Sequence, residues 1–151
     1  MMNEQTVRAR PSYASPMREG RWMANVKTQG EIEAAVCNII SHFLQDRMGC
    51  GPRDIHAYLL RDLLVVRLTA VLTVAEQHLA QSLPSEKGRD LLKQVRAQLI
   101  EAARPFLEEM IHKATGVRVL SLHRDISTVS GEEIIAFTLA EAPYCRVPQR
   151  R

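Results

Sequence analysis

The chain is poor in the features that usually announce a chemistry. It has 151 residues and only three cysteines, Cys37, Cys50 and Cys145. Their number is odd, their spacings are wide and no C-x-x-C occurs. This excludes a disulfide framework and a cysteine-based zinc site, and it suits a reducing compartment. Aromatics make up 5% of the residues, so the core must be aliphatic with help from methionine. No run approaches the ~18 apolar residues of a membrane-spanning helix, and the N-terminus lacks the apolar region of a secretory signal. A Walker loop, a G-x-G-x-x-G and an ordered Ser-His-Asp set are also missing. The expectation is a soluble, cytoplasmic protein whose residues, taken alone, show no recognisable chemistry.

The charge is nearly as uninformative. The formal net charge is +3. Arg8, Arg10, Arg18 and Arg21 outnumber Glu4 and Glu19 before Met23, and Arg146, Arg150 and Arg151 outnumber Glu141 at the other end. The stretch between is slightly acidic. Basicity confined to the termini leaves the body without the positive face that nucleic-acid binding requires.

What is present is alternation and helix capping. Residues 1–28 are polar and aperiodic and read as a disordered basic tail, with Met23 an alternative start. Thr28 and Glu31 then form a capping box, and Ile32, Val36, Ile39, Ile40 and Phe43 make one helical stripe that Gly49 ends. Asp54–Leu60 alternates as a strand. Arg61-Asp62 is the expected hairpin turn, and Leu63–Val71 is the return strand. The return strand runs straight into a second capping box, Thr73 with Glu76, which opens a short helix. Ser85 is the expected cap of a third helix reaching Thr115-Gly116. Its stripe is Leu91, Leu92, Val95, Leu99, Ala102, Ala103, Phe106, Leu107, Met110, Ile111 and Ala114. Pro105 lies within it and removes one backbone bond, so a kink is expected near Glu101–Pro105. Val117–His123 and Glu132–Leu139 close the chain as strands, followed by a short basic tail over 142–151. The fold class is α+β, with a four-stranded, largely antiparallel sheet covered by helices on one side, in the order α-β-β-α-α-β-β. One domain spans residues 29–141.

His123-Arg124-Asp125 matches a kinase triplet without the rest of that machinery and reads as the end of a strand. Glu109 and His112 form a single Glu-x-x-His, where a di-iron site needs two copies and further carboxylates. His42 and Asp46 read as a solvated pair one helical turn apart, and Glu132-Glu133 as a solvated strand end. No catalytic residue, cofactor or metal ligand is assigned. Cys50, between two glycines, and Tyr58 and Arg67 on the first hairpin are the candidate ligand or partner contacts.

Four ordered stretches carry a family resemblance: Gly30-Glu31-Ile32-Glu33-Ala34-Ala35, Gly51-Pro52, Leu64-Val65-Val66 through Leu72-Thr73-Val74-Ala75-Glu76, and Arg104-Pro105-Phe106-Leu107 through Thr115-Gly116-Val117. Over residues 29–141 the chain resembles the MpsC-type family of small bacterial proteins, named after a sodium-translocating membrane-potential-generating system. The chain departs from it at Cys50, where a basic residue is common between the glycines. The resemblance implies a non-enzymatic accessory or regulatory protein with protein partners, a membrane ion-translocating complex among them, and peripheral association with the membrane. Self-association through sheet or helix faces fits the same reading. A small-ligand sensor, with Tyr58 and Arg67 lining a pocket between the third helix and the sheet, is the alternative, and an uncharacterised enzyme ranks behind both.

Overall fold

The computed structural model describes residues 25–82 and 84–149. Expectations for residues 1–24 and 150–151 lie outside the described residues. The elements are α1 (Gln29–Met48), β1 (Asp54–Leu60), β2 (Leu63–Thr69), α2 (Val74–Gln81), α3 (Ser85–Thr115), β3 (Val119–Ile126) and β4 (Glu133–Leu139). The strands form one fully antiparallel sheet in the order β1-β2-β4-β3. Fold class and element order are therefore those expected from the sequence.

Local chemistry sets most of the element ends. Both capping boxes are closed. The Thr28 hydroxyl accepts from Glu31 N–H while Glu31 accepts from Thr28 N–H, and Thr73 and Glu76 repeat the arrangement. Gly49 (φ 71°) ends α1 and Gly116 (φ 74°) ends α3 in the left-handed conformation that a Cβ disfavours. Arg61 takes a positive φ at the first position of the two-residue β1–β2 turn, as a II′-type hairpin turn does.

Two local expectations need correction. Pro84, not Ser85, occupies the N-cap of α3, and no side chain caps that end. The Lys87 and Gly88 amides instead reach the Pro84 carbonyl. Pro105 lies inside α3, which reaches Thr115 as expected. β3 runs on to Ile126, so His123-Arg124-Asp125 lies inside the strand rather than at its end. Past residue 141, Pro143 is buried, and Arg146 donates from its backbone to the Lys27 carbonyl and bridges Thr28 in parallel.

The core sits between one face of the sheet and the helices. Leu64, Val66 and Leu68 of β2, Ile135, Phe137 and Leu139 of β4, and Ile32, Val36, Ile40, Phe43 and Leu44 of α1 are buried together with Leu92, Ile100, Leu107 and Ile111 of α3. Fully burying each such side chain contributes roughly 1.5–3 kcal/mol.

Candidate functional site

Alternation along a strand sends every second side chain to the side away from the helices. Cross-strand register then assembles these side chains into rows. His56 stands opposite Arg67, which stands opposite Ile134. Tyr58 faces Val65, Val65 faces Ala136, and Ala136 faces His123. Leu60 faces Leu63, and Leu63 faces Thr138. The centre of this face is aliphatic and half-buried (Val65, Ile134, Ala136), while Tyr58, Leu60 and Leu63 on the β1 side are exposed. The His56 and Tyr58 rings lie 6.4 Å apart. None of the described helices covers this side.

Arg67 is held on that face. Its Nε donates to Glu132 Oε2 at 2.9 Å, and its Nη2 lies 2.8 Å from the same oxygen. The hydrogen bond and charge of Glu132 raise the guanidinium above its ordinary value, so Arg67 stays charged. Of the expected contact residues, the sheet brings Tyr58 and Arg67 onto one surface. Cys50 lies apart, in the α1–β1 connection, with its thiol 3.5 Å from the Gly51 carbonyl oxygen. Tyr58 and Arg67 are on the outer side of the sheet, so the pocket expected between α3 and the sheet does not contain them.

The inner side holds a charged network that the sequence reading missed. Glu133, expected as a solvated strand end, is 1% exposed, and so is Arg96 of α3. Arg96 donates from Nη1 to Glu76 Oε1 at 2.8 Å and from Nη2 to Glu133 Oε2 at 3.0 Å. Arg124 donates from Nε to Glu133 Oε1 at 2.8 Å. Burial alone would raise the Glu76 carboxyl, but the Thr73 amide and the Arg96 guanidinium outweigh it and hold the group below its ordinary value. Glu132 and Glu133 thus divide the two faces of β4. One fixes Arg67 outside and the other pairs with two arginines inside. The available signal was Arg96 itself, a lone charge at the helical spacing between Leu92 and Ile100.

A cavity of about 290 Å³ opens between α1 and α3. Ile39, Phe43, Phe106 and Met110 floor it, and Phe43 and Phe106 stack with centroids 6.5 Å apart. His42 and Asp46 are on its rim. The His42 ring is 2.7 Å from the Asn38 carbonyl oxygen, a contact within the helix backbone rather than with Asp46. Among the described residues, no group of three or more His, Cys, Asp or Glu side chains could hold a metal ion.

Fold and surface together define a small α+β protein with a one-sided sheet. Its uncovered face is an apolar centre rimmed by aromatic and charged side chains, a surface suited to contact with another macromolecule. The family profile described as "Na+-translocating membrane potential-generating system (MpsC)" matches residues 28–141, and the chain belongs to that family. It is also similar to the uncharacterized protein YbcI of Bacillus subtilis (strain 168), with 34% identity over 113 residues, covering 75% of this chain and 89% of that protein. No solved structure matches the chain.

Proposed function

We propose that this protein is a non-enzymatic accessory or regulatory component of a Na+-translocating, membrane-potential-generating system, and that it works by docking its open sheet face on a protein partner. The observation that carries this reading is membership of the MpsC family across residues 28–141. The geometry of the open face supports it. Tyr58 is an exposed aromatic beside an aliphatic strip, and the Arg67–Glu132 pair stands at the edge of that strip. Aromatic anchors within an apolar centre carry much of the energy of protein interfaces. None of the described helices is long and apolar enough to cross a membrane, and the reading places the ion path in a partner chain. The protein then acts from the cytoplasmic side, peripheral to the membrane.

Affinity capture of the full chain from solubilised membranes of its native host tests this. Wild-type protein should co-purify subunits of a membrane ion-translocating complex, and Tyr58→Ala should weaken the capture at least tenfold. Recovery of the wild-type chain free of membrane partners overturns the reading.

The α1–α3 cavity favours a second reading, a small-ligand sensor. Its ~290 Å³ is at the lower end of ligand pockets, and its rim mixes His42, Asp46 and Arg47 over an apolar floor. A thermal-shift screen over nucleotides, bicarbonate and common metabolites separates the two, because a sensor shows a ligand-dependent rise in melting temperature.

A further inference from the structure

The helix α3 carries more apolar surface than the core uses. Leu92, Ile100, Leu107 and Ile111 turn inward and are buried. A second line beside them, Leu91, Val95, Leu99, Ala102 and Phe106, is exposed, and the four large side chains in it are 41–49% exposed. Met110, partly buried in the lining of the α1–α3 cavity, continues the line. Gln94, Gln98 and Pro105, also exposed, border it. The face therefore has no charged residue from Leu91 through Phe106, and the exposed Glu109–Lys113 ion pair flanks Met110 at its C-terminal end. Depletion of charge at the centre of a surface patch marks interface cores.

We propose that this face of α3 is a homodimer interface, in which two copies of the chain pair their α3 helices antiparallel across a two-fold axis between Leu99 and Ala102. The argument for a second copy is the spacing. The steps from Leu91 to Val95, Leu99, Ala102, Phe106 and Met110 read 4-4-3-4-4 in either direction. An isologous contact needs a surface complementary to itself, and this line supplies it. The two-fold axis sets Leu91 opposite the partner's Met110, Val95 opposite the partner's Phe106, and Leu99 opposite the partner's Ala102. The large–small match at the centre lets the helices approach. At the ends, Leu91 of each copy enters the mouth of the other's α1–α3 cavity. The line is about 28 Å long at ~1.5 Å per residue.

Its area is consistent with a dimer. At 41–49% exposure, the four large side chains present apolar surface toward the lower end of the roughly 300–600 Å² of the largest patch on an ordinary monomer. Two copies cover about twice that, and with an apolar share near 60% the whole interface comes to roughly 1,200 Å². That value is at the lower limit for a specific complex, so the dimer should dissociate on dilution. This inference does not depend on the membrane-system reading.

Sedimentation velocity on the full 151-residue chain over a wide concentration range tests it. The wild type should pass from monomer to dimer. Leu99→Glu, at an exposed position, should weaken the dimer at least tenfold with an unchanged far-UV circular dichroism spectrum. Leu60→Glu, on the open sheet face, should leave the dimer intact. Ala102→Lys should weaken self-association as Leu99→Glu does, yet an equimolar mixture of these two variants should form heterodimers, because the two-fold axis sets residue 99 against residue 102. A wild type that stays monomeric throughout, a dimer that survives Leu99→Glu, or a mixture that fails to associate overturns the proposal. Loss of the dimer in Leu60→Glu alone assigns the interface to the sheet and overturns it as well.

Discussion

Arg96 and Glu133 are buried charges whose costs are met only by each other and by two neighbours. Glu133 accepts from both Arg96 and Arg124, whereas Glu76 has the Thr73 amide besides Arg96. Substitutions in the network should therefore differ in cost. Glu133→Gln leaves two buried guanidinium groups without their shared counter-charge and should destabilise the fold by about 3 kcal/mol. Arg96→Met leaves Glu133 with Arg124 and Glu76 with its cap, and fills similar volume with apolar atoms. It should cost less than Glu133→Gln, about 2 kcal/mol, because Glu133 keeps one of its two guanidinium partners. Urea denaturation of both variants checks the order. Acid should act on the same network. The folded Glu76 carboxyl lies below its ordinary value, so its contribution to stability is fully present above about pH 4.3 and is lost as pH falls through the lowered folded value. The urea midpoint should fall on acidification below that point, and less steeply in Arg96→Met.

At the scale of single elements, what was legible in the sequence was local. Capping boxes, glycine stops and strand alternation act within a few residues, so Thr28, Thr73, Gly49 and Gly116 marked their element ends without tertiary information. Thr73→Ala should cost about 1 kcal/mol through loss of the cap. Glu76→Ala should cost more, because Glu76 also binds Arg96, and thermal unfolding of the two variants compares them. Interactions across the fold were not legible. The partners of Arg96 are on α2 and β4, and no spacing rule relates them to it. The stripe of α3 had the right period but was too wide, since periodicity does not say which half of an apolar face a neighbour will cover. Gly88 is a further case. Alanine is favoured over glycine in a helix by about 1 kcal/mol. Here, however, a Cβ at position 88 would fall well inside contact distance of the Leu79 carbonyl oxygen of α2. Gly88→Ala should therefore lower the melting temperature despite its better helix propensity, by forcing α2 away from α3.

For the whole molecule, the two unpartnered surfaces are on opposite sides. The open face of the sheet carries Tyr58, Val65 and Arg67, and the exposed line of α3 is on the helical side. Pairing through α3 consequently leaves both sheets uncovered and directed outward. A dimer of this kind presents two copies of the partner-docking face and should bind its partner as a 2:2 assembly, held more tightly to a membrane displaying several partner subunits than a monomer would be. The two substitutions already used separately should then act differently on the same complex. Leu99→Glu should convert the assembly to 1:1 while leaving the affinity of each docking face unchanged. Tyr58→Ala should weaken that affinity and leave the α3 dimer in place. Light scattering on the purified complex reads the stoichiometry, and titration with the isolated partner reads the affinity. A change of affinity in Leu99→Glu, or a change of dimerisation in Tyr58→Ala, would show that the two faces are coupled or are one interface, contrary to their placement on opposite sides of the sheet.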